Sequence, residues 1–382
     1  MIAVEVAFWL SVFLIVYTHL GYPAALSLAT RVLRQARPRR TREQSTAEID
    51  SLPAVSLIVA AYDEEEVIEA KVANALALDY PRDRLEVVVA SDGSSDGTVE
   101  RARAAGADLV LDLPRGGKVA AQDAAAERAS GELLAFSDAN SAWEPGALRE
   151  LVAPFTDPSI AYVCGQVRFL DPEGGNFEGA YWRFEMRVRE MESALAGVTA
   201  GNGAIYAVRA EAYRPLPPTG SHDLSFPFAL AKRGLRSLYA PAARAEEKMV
   251  PTLEGEFSRK RRMMVGIWDI VVGEGMISPR GYSPAYWFEV ISHRLLRYLT
   301  PLLHVVALLA NLILLGEGWI YSATLAAQVA LLAAALLGRA LPIAPLRVAR
   351  YYVLTTASIA AGLWDRVRTG PAGTWEKAEG TR

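Results

Sequence analysis

Leu85–Thr98 reads LEVVVASDGSSDGT. Val87, Val88 and Val89 are β-branched and apolar without alternation, the pattern of a parallel strand buried on both faces. The run stops at Ser91, and Asp92-Gly93-Ser94-Ser95-Asp96-Gly97-Thr98 supplies turn residues. Gly93 and Gly97 give backbone freedom, and Asp96 or Thr98 offers a cap to a following helix. Asp92 is thereby set at the carboxyl end of a strand, the edge of an open α/β sheet where ligands bind. A second acidic strand end, Leu133–Asn140 (LLAFSDAN), brings Asp138 to a similar place. One such turn reads equally well as a capped strand–helix junction. Two at neighbouring strand ends suit a sugar-nucleotide and its metal.

The 382 residues suffice for one large catalytic domain plus further elements. They are 52% hydrophobic, with a mean hydropathy of +0.15, and the apolar excess sits at the two ends. A net charge of −3 offers no field for nucleic acid. Cys164 is the only cysteine, which excludes an internal disulfide and a cysteine-rich zinc site. His19, His222, His293 and His304 form no paired ligand spacing, so a zinc enzyme is not expected.

Val6–Thr30 carries no charged side chain over 25 residues, enough to span a bilayer. With no basic segment before it and no small-residue cleavage site, it reads as an anchor rather than a removed signal peptide. Arg31, Arg34, Arg37, Arg39, Arg40 and Arg42 follow. They place the next domain in the cytoplasm by the positive-inside tendency, and they also suit a solubilising linker. Leu299–Leu315 and Trp319–Leu337 are each about one span long, and Arg339, Arg347 and Arg350 follow the second. Tyr351–Trp364 is short for a span and reads as an interfacial or re-entrant helix. The expected organisation is an anchor over 1–33, a basic linker over 34–53 and a cytoplasmic domain over 54–253. Amphipathic interface helices (254–297), a membrane hairpin (298–338) and an interfacial or re-entrant helix with a cytoplasmic tail (339–382) complete it.

Inside the domain, Ala54–Ala61 is the first strand, followed by the acidic turn Tyr62-Asp63-Glu64-Glu65-Glu66 and a helix. A dinucleotide-binding GxGxxG is absent there. Asp63 and Glu64 suit hydrogen bonds to a ribose or base, or equally the N-terminal dipole of the helix. Pro114-Arg115-Gly116-Gly117-Lys118 opens a further helix and can bring amides and one ammonium to a phosphate. Asp138 can give a carboxylate to magnesium or manganese, whereas Asn140 offers only an amide oxygen. Gly201 and Gly203, within Thr199–Arg209 (TAGNGAIYAVR), allow a substrate close to the backbone. Asp223 reads either as a helix cap or as a general base for an acceptor hydroxyl. Ser258–Met264 (SRKRRMM), continued by Val265, Ile267 and Trp268, predicts an amphipathic helix suited to a membrane interface. A guanidinium there also suits a diphosphate leaving group.

The acidic turn, DGSSDGT, GGK, SDAN, GNGAIYAVR, HD and RKRRM follow one another over residues 54–270. In that order they closely resemble membrane-bound family 2 glycosyltransferases of the GT-A fold. The nearest likeness is to the bacterial β-polysaccharide synthases of cellulose, hyaluronan and poly-N-acetylglucosamine. The resemblance implies an α/β domain, Rossmann-like, with a mostly parallel sheet flanked by helices and transmembrane helices at both ends. It implies that Tyr62, Asp63, Glu64 and Asp92 bind base and ribose, with Lys118 near the nucleotide. Asp138 holds a diphosphate-bound divalent metal (Mn or Mg), with Asn140 at the second acidic position. Gly201, Asn202 and Gly203 border the acceptor, and Asp223, preceded by His222, is the base. Arg259, Arg262 and Met263 align with the family's Gln-x-x-Arg-Trp, Arg262 facing the diphosphate. The chain departs from the pattern at Asn140, His222 and Met263.

The expected activity is inverting transfer from a nucleotide-diphosphate sugar, by default a UDP-sugar, to a lipid-linked or polysaccharide acceptor. The expected place is the cytoplasmic face of the plasma (inner) membrane, among membrane lipid and beside a polysaccharide-export partner, with no nucleic acid. A rival reading, motivated by Asn140 and Met263, is a catalytically degenerate scaffold or sugar-nucleotide-binding subunit of a synthase complex.

Overall fold

The computed structural model describes residues 1–36, 52–170, 177–217, 220–248, 253–341 and 343–370. Arg37, Arg39, Arg40 and Arg42, the rest of the linker to residue 51, and the tail 371–382 lie outside them. In chain order the first elements are Ile2–Val16 (α1), Tyr22–Ala36 (α2), Val55–Ala61 (β1), Ile68–Leu76 (α3), Leu85–Asp92 (β2), Thr98–Ala104 (α4) and Leu109–Leu113 (β3). Lys118–Arg128 (α5), Leu133–Asp138 (β4), Ala142–Trp143 (β5), Ala147–Val152 (α6), Ile160–Leu170 (β6) and Phe177–Leu195 (α7) follow. Ile205–Arg209 (β7), His222–Lys232 (α8) and Arg236–Lys248 (β8) close the sheet domain. Leu253–Trp268 (α9), Pro284–Glu289 (α10), Leu296–Ile313 (α11), Trp319–Leu337 (α12) and Ala344–Thr369 (α13) complete the chain.

Among the described residues, eight strands form one sheet in the order β3-β2-β1-β4-β7-β6-β8-β5. β1 is buried along its whole length, Ser56 included, as its mostly apolar run without alternation requires. It lies parallel between β2 and β4, with Val55 opposite both Leu85 and Leu133. That register brings the carboxyl ends of β2 and β4, with Asp92 and Asp138, to one edge on either side of β1. β7 then runs antiparallel to β4, so the strand order turns at this edge. One core packs Leu57, Val87, Ala135, Leu148, Ile205 and Ala245. A second packs Ile58, Val88, Phe136, Tyr162, Tyr206 and Phe226.

β8 has no clean alternation, because Pro241 interrupts it and its parallel pairing with β6 shifts register between Cys164 and Gln166. No sequence expectation covered this strand. Its last residues pair with the two-residue β5, Ala142 opposite Glu246 and Trp143 opposite Ala245.

Three helical segments are long and apolar enough to cross a membrane: Ile2–Leu33, Pro284–Ile313 and Trp319–Leu337. α1 lies along α11, with Phe8 packed on Ala310, Leu314 and Tyr321. The second segment begins at Pro284, so residues assigned by sequence to an interface helix continue directly into an apolar one. α13 runs for 26 residues, well beyond the charge-free stretch Tyr351–Trp364. Ion pairs explain the extension: Arg261 binds Asp365 and Arg366 binds Asp269, while Lys260 donates to the Tyr351 hydroxyl at 2.8 Å. α9 and α13 therefore form one unit.

Candidate active site

The two acidic turns are laced together. Asp63 adopts a left-handed backbone (φ 48°), and its Oδ1 accepts the Ser95 amide at 2.7 Å. In return, Asp96 accepts the Glu65 and Thr98 amides, each at 3.1 Å, and Thr98 Oγ1 accepts the Glu64 amide at 2.7 Å. Asp96 thus ties the two turns together, but the cap position of α4 is Gly97 and Thr98 is its first residue, which corrects the expectation that Asp96 or Thr98 caps that helix. Glu64 is buried and Asp63 carries a bond from the neighbouring turn, so both act first as braces of this edge.

Asp92 is 1% exposed. Its carboxylate accepts the Gly116 and Gly117 amides at 2.7 and 2.9 Å, and the Arg115 guanidinium at 2.7 Å. This corrects the expectation that the Gly-Gly-Lys amides face a phosphate. The loop has folded back onto β2, where Gly93 (φ +67°) lets it approach: a Cβ there would stand 2.9 Å from the Arg115 nitrogen. Arg115 also lies 3.3 Å over the Tyr62 ring, bridging Tyr62 to Asp92.

Lys118, the first residue of α5, forms an ion pair with Asp138. Burial opposes its charge, but Asp138, with Asp223 and Glu247 beyond it, raises the ammonium above its ordinary value. Lys118 is therefore paired with Asp138 and feels the charge of Asp223. Lys71 on α3 is buried and donates to the Ser141 carbonyl at 2.7 Å, holding the turn after Asp138. Burial brings its pKa down to about 7. At the end of β8, burial followed by the Asp138 charge pushes Glu247 up to about 7.

Asp223 is the second residue of α8; Ser221 holds the cap position, and its hydroxyl donates to the Asp223 carboxylate. The cap reading of Asp223 is thereby corrected. The Asp223 carbonyl accepts the Gly201 amide at 2.6 Å, which ties the Gly-Asn-Gly turn to this helix end. Gly201 is required by a close approach, since a Cβ there would stand 1.9 Å from the Tyr162 hydroxyl. Gly201→Ala is expected to destabilise the protein by about 1–3 kcal/mol through overpacking, read as a fall in melting temperature. The Tyr162 hydroxyl is buried without a partner, so Tyr162→Phe in the same background restores part of the loss. Failure of that rescue removes the steric explanation.

Other expected site residues are turned elsewhere. Asn202 is buried and donates to the Gly165 carbonyl, fastening the turn to β6. His222 is 4% exposed and sits among Phe136, Tyr206, Tyr213 and Phe226, with Nδ1 2.7 Å from the Tyr206 hydroxyl. It is a core residue, held below its ordinary pKa by burial, which corrects its assignment to substrate. Gly203 lies beside Lys118, whose ammonium is 3.9 Å from the place of a Cβ. Arg262 and Met263 are exposed on α9. Among the described residues, no hydrogen bond or ion pair joins Arg262 to the cleft. Arg259 is nearer, because its charge reaches Glu247.

A polar network carries this edge to the apolar helices. Glu192, fully buried, accepts the Tyr22 hydroxyl at 2.7 Å and the Thr199 hydroxyl at 3.1 Å, with His293 Nδ1 at 2.6 Å. Arg294 donates to Thr199 at 2.8 Å. Thr199 stands two residues before Gly201, so the apolar helices help to set the Gly-Asn-Gly turn.

Sequence reasoning missed Arg115, Lys71 and Glu247. Arg115 lies between Pro114 and Gly116-Gly117, where nothing in the sequence points its guanidinium at Asp92. Lys71 was hidden in an apolar helix pattern. Glu247 had one available signal: it follows Ala243 and Ala245 at every second residue, a charge on the buried face of a strand.

The turning strand order and the acidic carboxyl edge define a GT-A glycosyltransferase domain. The chain belongs to glycosyltransferase family 2: residues 53–266 match the family described as "Glycosyltransferase like family 2". It is 27% identical over 300 residues to a Beta-monoglucosyldiacylglycerol synthase of Trichormus variabilis, covering 72% of this chain and 62% of that protein. Poly-beta-1,6-N-acetyl-D-glucosamine synthase of Staphylococcus aureus is 23% identical over 238 residues, 59% of this chain and 57% of that one. The chain thus spans about three-fifths of the length of the curated relatives it matches. In fold it is similar to the mannosyltransferase PcManGT from Pyrobaculum calidifontis, solved with GDP-Man and Mn2+. The TM-score is 0.73 at 24% identity, covering 94% of this chain and 99% of that one.

Proposed function

We propose that this protein is an inverting glycosyltransferase that moves a sugar from a nucleotide-diphosphate donor to a lipid-linked or polysaccharide acceptor. The observation that carries the reading is the Lys118–Asp138 ion pair at the carboxyl edge of the sheet, beside a Gly-Asn-Gly turn that is fastened to Asp223 and reaches Lys118 at Gly203. In this reading, Tyr62, Asp63, Glu64 and Asp92 form the nucleotide wall, with Lys118 beside the diphosphate. Asp223 takes the proton from the acceptor hydroxyl as that oxygen attacks the anomeric carbon, and the nucleoside diphosphate leaves from the opposite face. Arg262 on α9 neutralises the departing charge.

The residues at Asp138 fit a divalent cation. Asp138 offers a carboxylate and Asn140 an amide oxygen, and a buried Glu247 oxygen in the same charged cluster has no hydrogen-bond partner. When bound, such a cation supplies charge stabilisation to the leaving diphosphate. The catalytic domain (54–253) then works at the cytoplasmic face of the plasma membrane, anchored by 1–33 and by the hairpin 298–338. Arg339, Arg347 and Arg350 after the hairpin support that orientation.

The test is a panel of nucleotide sugars offered to the detergent-purified chain with Mn2+, Mg2+ or EDTA, using membrane lipid extract as acceptor. Metal-dependent release of nucleoside diphosphate from one donor, lost in Asp138→Ala, supports the reading and names the sugar. Donor binding without turnover favours a sugar-nucleotide-binding scaffold instead. Absence of binding to any donor overturns both.

A further inference from the structure

We infer that Glu247 supplies the second carboxylate to the divalent cation held by Asp138, the part that the neutral Asn140 cannot play. This rests on the metal-dependent reading above and extends it to a residue outside the expected motif.

The placement follows from β8. Ala243 and Ala245 are fully buried, and Glu247 is next on the same strand face. The antiparallel register of β5 sets Ala142 opposite Glu246. Ser141 immediately precedes Ala142 and stands three residues past Asp138. Two oxygens here are buried with no partner, Glu247 Oε1 and Ser141 Oγ. Ser141 itself is 1% exposed.

The cations that face Glu247 are otherwise engaged. Lys71 donates to the Ser141 carbonyl, Lys118 pairs with Asp138, and Arg259 makes a contact to Met263 Sδ. Among the described residues, no hydrogen bond or ion pair reaches the Glu247 carboxylate. A carboxylate in such surroundings is costly unless something coordinates it. A hard divalent cation takes oxygen ligands and prefers carboxylates to amides. Asp138 and Glu247 together give it two negative charges, which Asp138 and Asn140 do not.

The experiment uses the full chain in detergent. Mn2+ is titrated with UDP or GDP present, and the free ion is read by electron paramagnetic resonance. Glu247→Gln is expected to weaken Mn2+ binding by at least about ten-fold. Asn140→Asp in the Glu247→Gln background is expected to recover most of it, because it restores a second carboxylate beside Asp138. Melting temperature in EDTA is measured for each variant. Mn2+ affinity of Glu247→Gln equal to the parent's overturns the inference, whether or not the EDTA melting temperature falls. A fall without an affinity change marks Glu247 as a structural partner of Lys71. Should Glu247→Gln fail to fold, Glu247→Asp takes its place: it keeps the charge but shortens the reach, and weaker Mn2+ binding is again required. A parent that binds neither Mn2+ nor nucleotide overturns the metal-dependent reading itself, a different result from equal affinities.

Discussion

Asp223→Asn is expected to lower sugar transfer by about 10²–10⁴-fold while leaving donor binding in place, the effect of removing a general base. Two structural facts make this substitution informative. The cap of α8 is Ser221, so Asp223 is not needed to terminate the helix. Its backbone carbonyl, which receives the Gly201 amide, is unchanged by the substitution. The asparagine oxygen can still accept the Ser221 hydroxyl, and the lost interaction with the helix dipole is worth only about 0.3–1 kcal/mol. Stability and catalysis are therefore separable here. The measurement is transfer rate beside donor affinity by calorimetry. Full transfer by Asp223→Asn would show that some other group takes the acceptor's proton. Loss of donor binding would place Asp223 in the donor pocket instead.

The donor edge was largely legible because its strands carry their own signal. β1, β2 and β4 are mostly apolar without alternation, and β2 and β4 end in Ser-Asp; such runs have one comfortable place in a sheet buried on both faces. Their parallel order then fixes where Asp92 and Asp138 stand. What could not be read was direction. Gly116 and Gly117 at a helix start look the same in sequence whether their amides face a phosphate or an aspartate. Only the return of the loop onto Gly93 decides it. His222 precedes Asp223 by one residue, and helical geometry turns the two about 100° apart. One enters the aromatic core and the other stays at the edge. β8 failed for a different reason: Pro241 and a register shift break its alternation midway, so only the short run Ala243, Ala245 and Glu247 keeps the period that marks the buried charge.

Asp92→Asn has the second large effect, on stability as well as on donor binding. The Asp92 carboxylate accepts from three donors that converge from residues 115–117. An asparagine can accept from the two glycine amides through its oxygen, but its NH2 then meets the Arg115 guanidinium, donor against donor. The Arg115 guanidinium loses its carboxylate partner beside the Tyr62 ring, and charged hydrogen bonds of this kind are worth about 1.5–3 kcal/mol. The expected result is a melting temperature lowered by several degrees and nucleotide binding weakened by at least about ten-fold, since about 1.4 kcal/mol is one decade in affinity. Arg115→Ala is the control. It leaves the Asp92 carboxylate with two backbone donors, so its stability loss is the smaller of the two. The order Asp92→Asn worse than Arg115→Ala follows from Asp92 being the clamp and Arg115 one of the three groups it holds. The reverse order would mean that the Arg115–Tyr62 stack, not the Asp92 carboxylate, keeps the loop against β2, and that nucleotide affinity should track the aromatic ring.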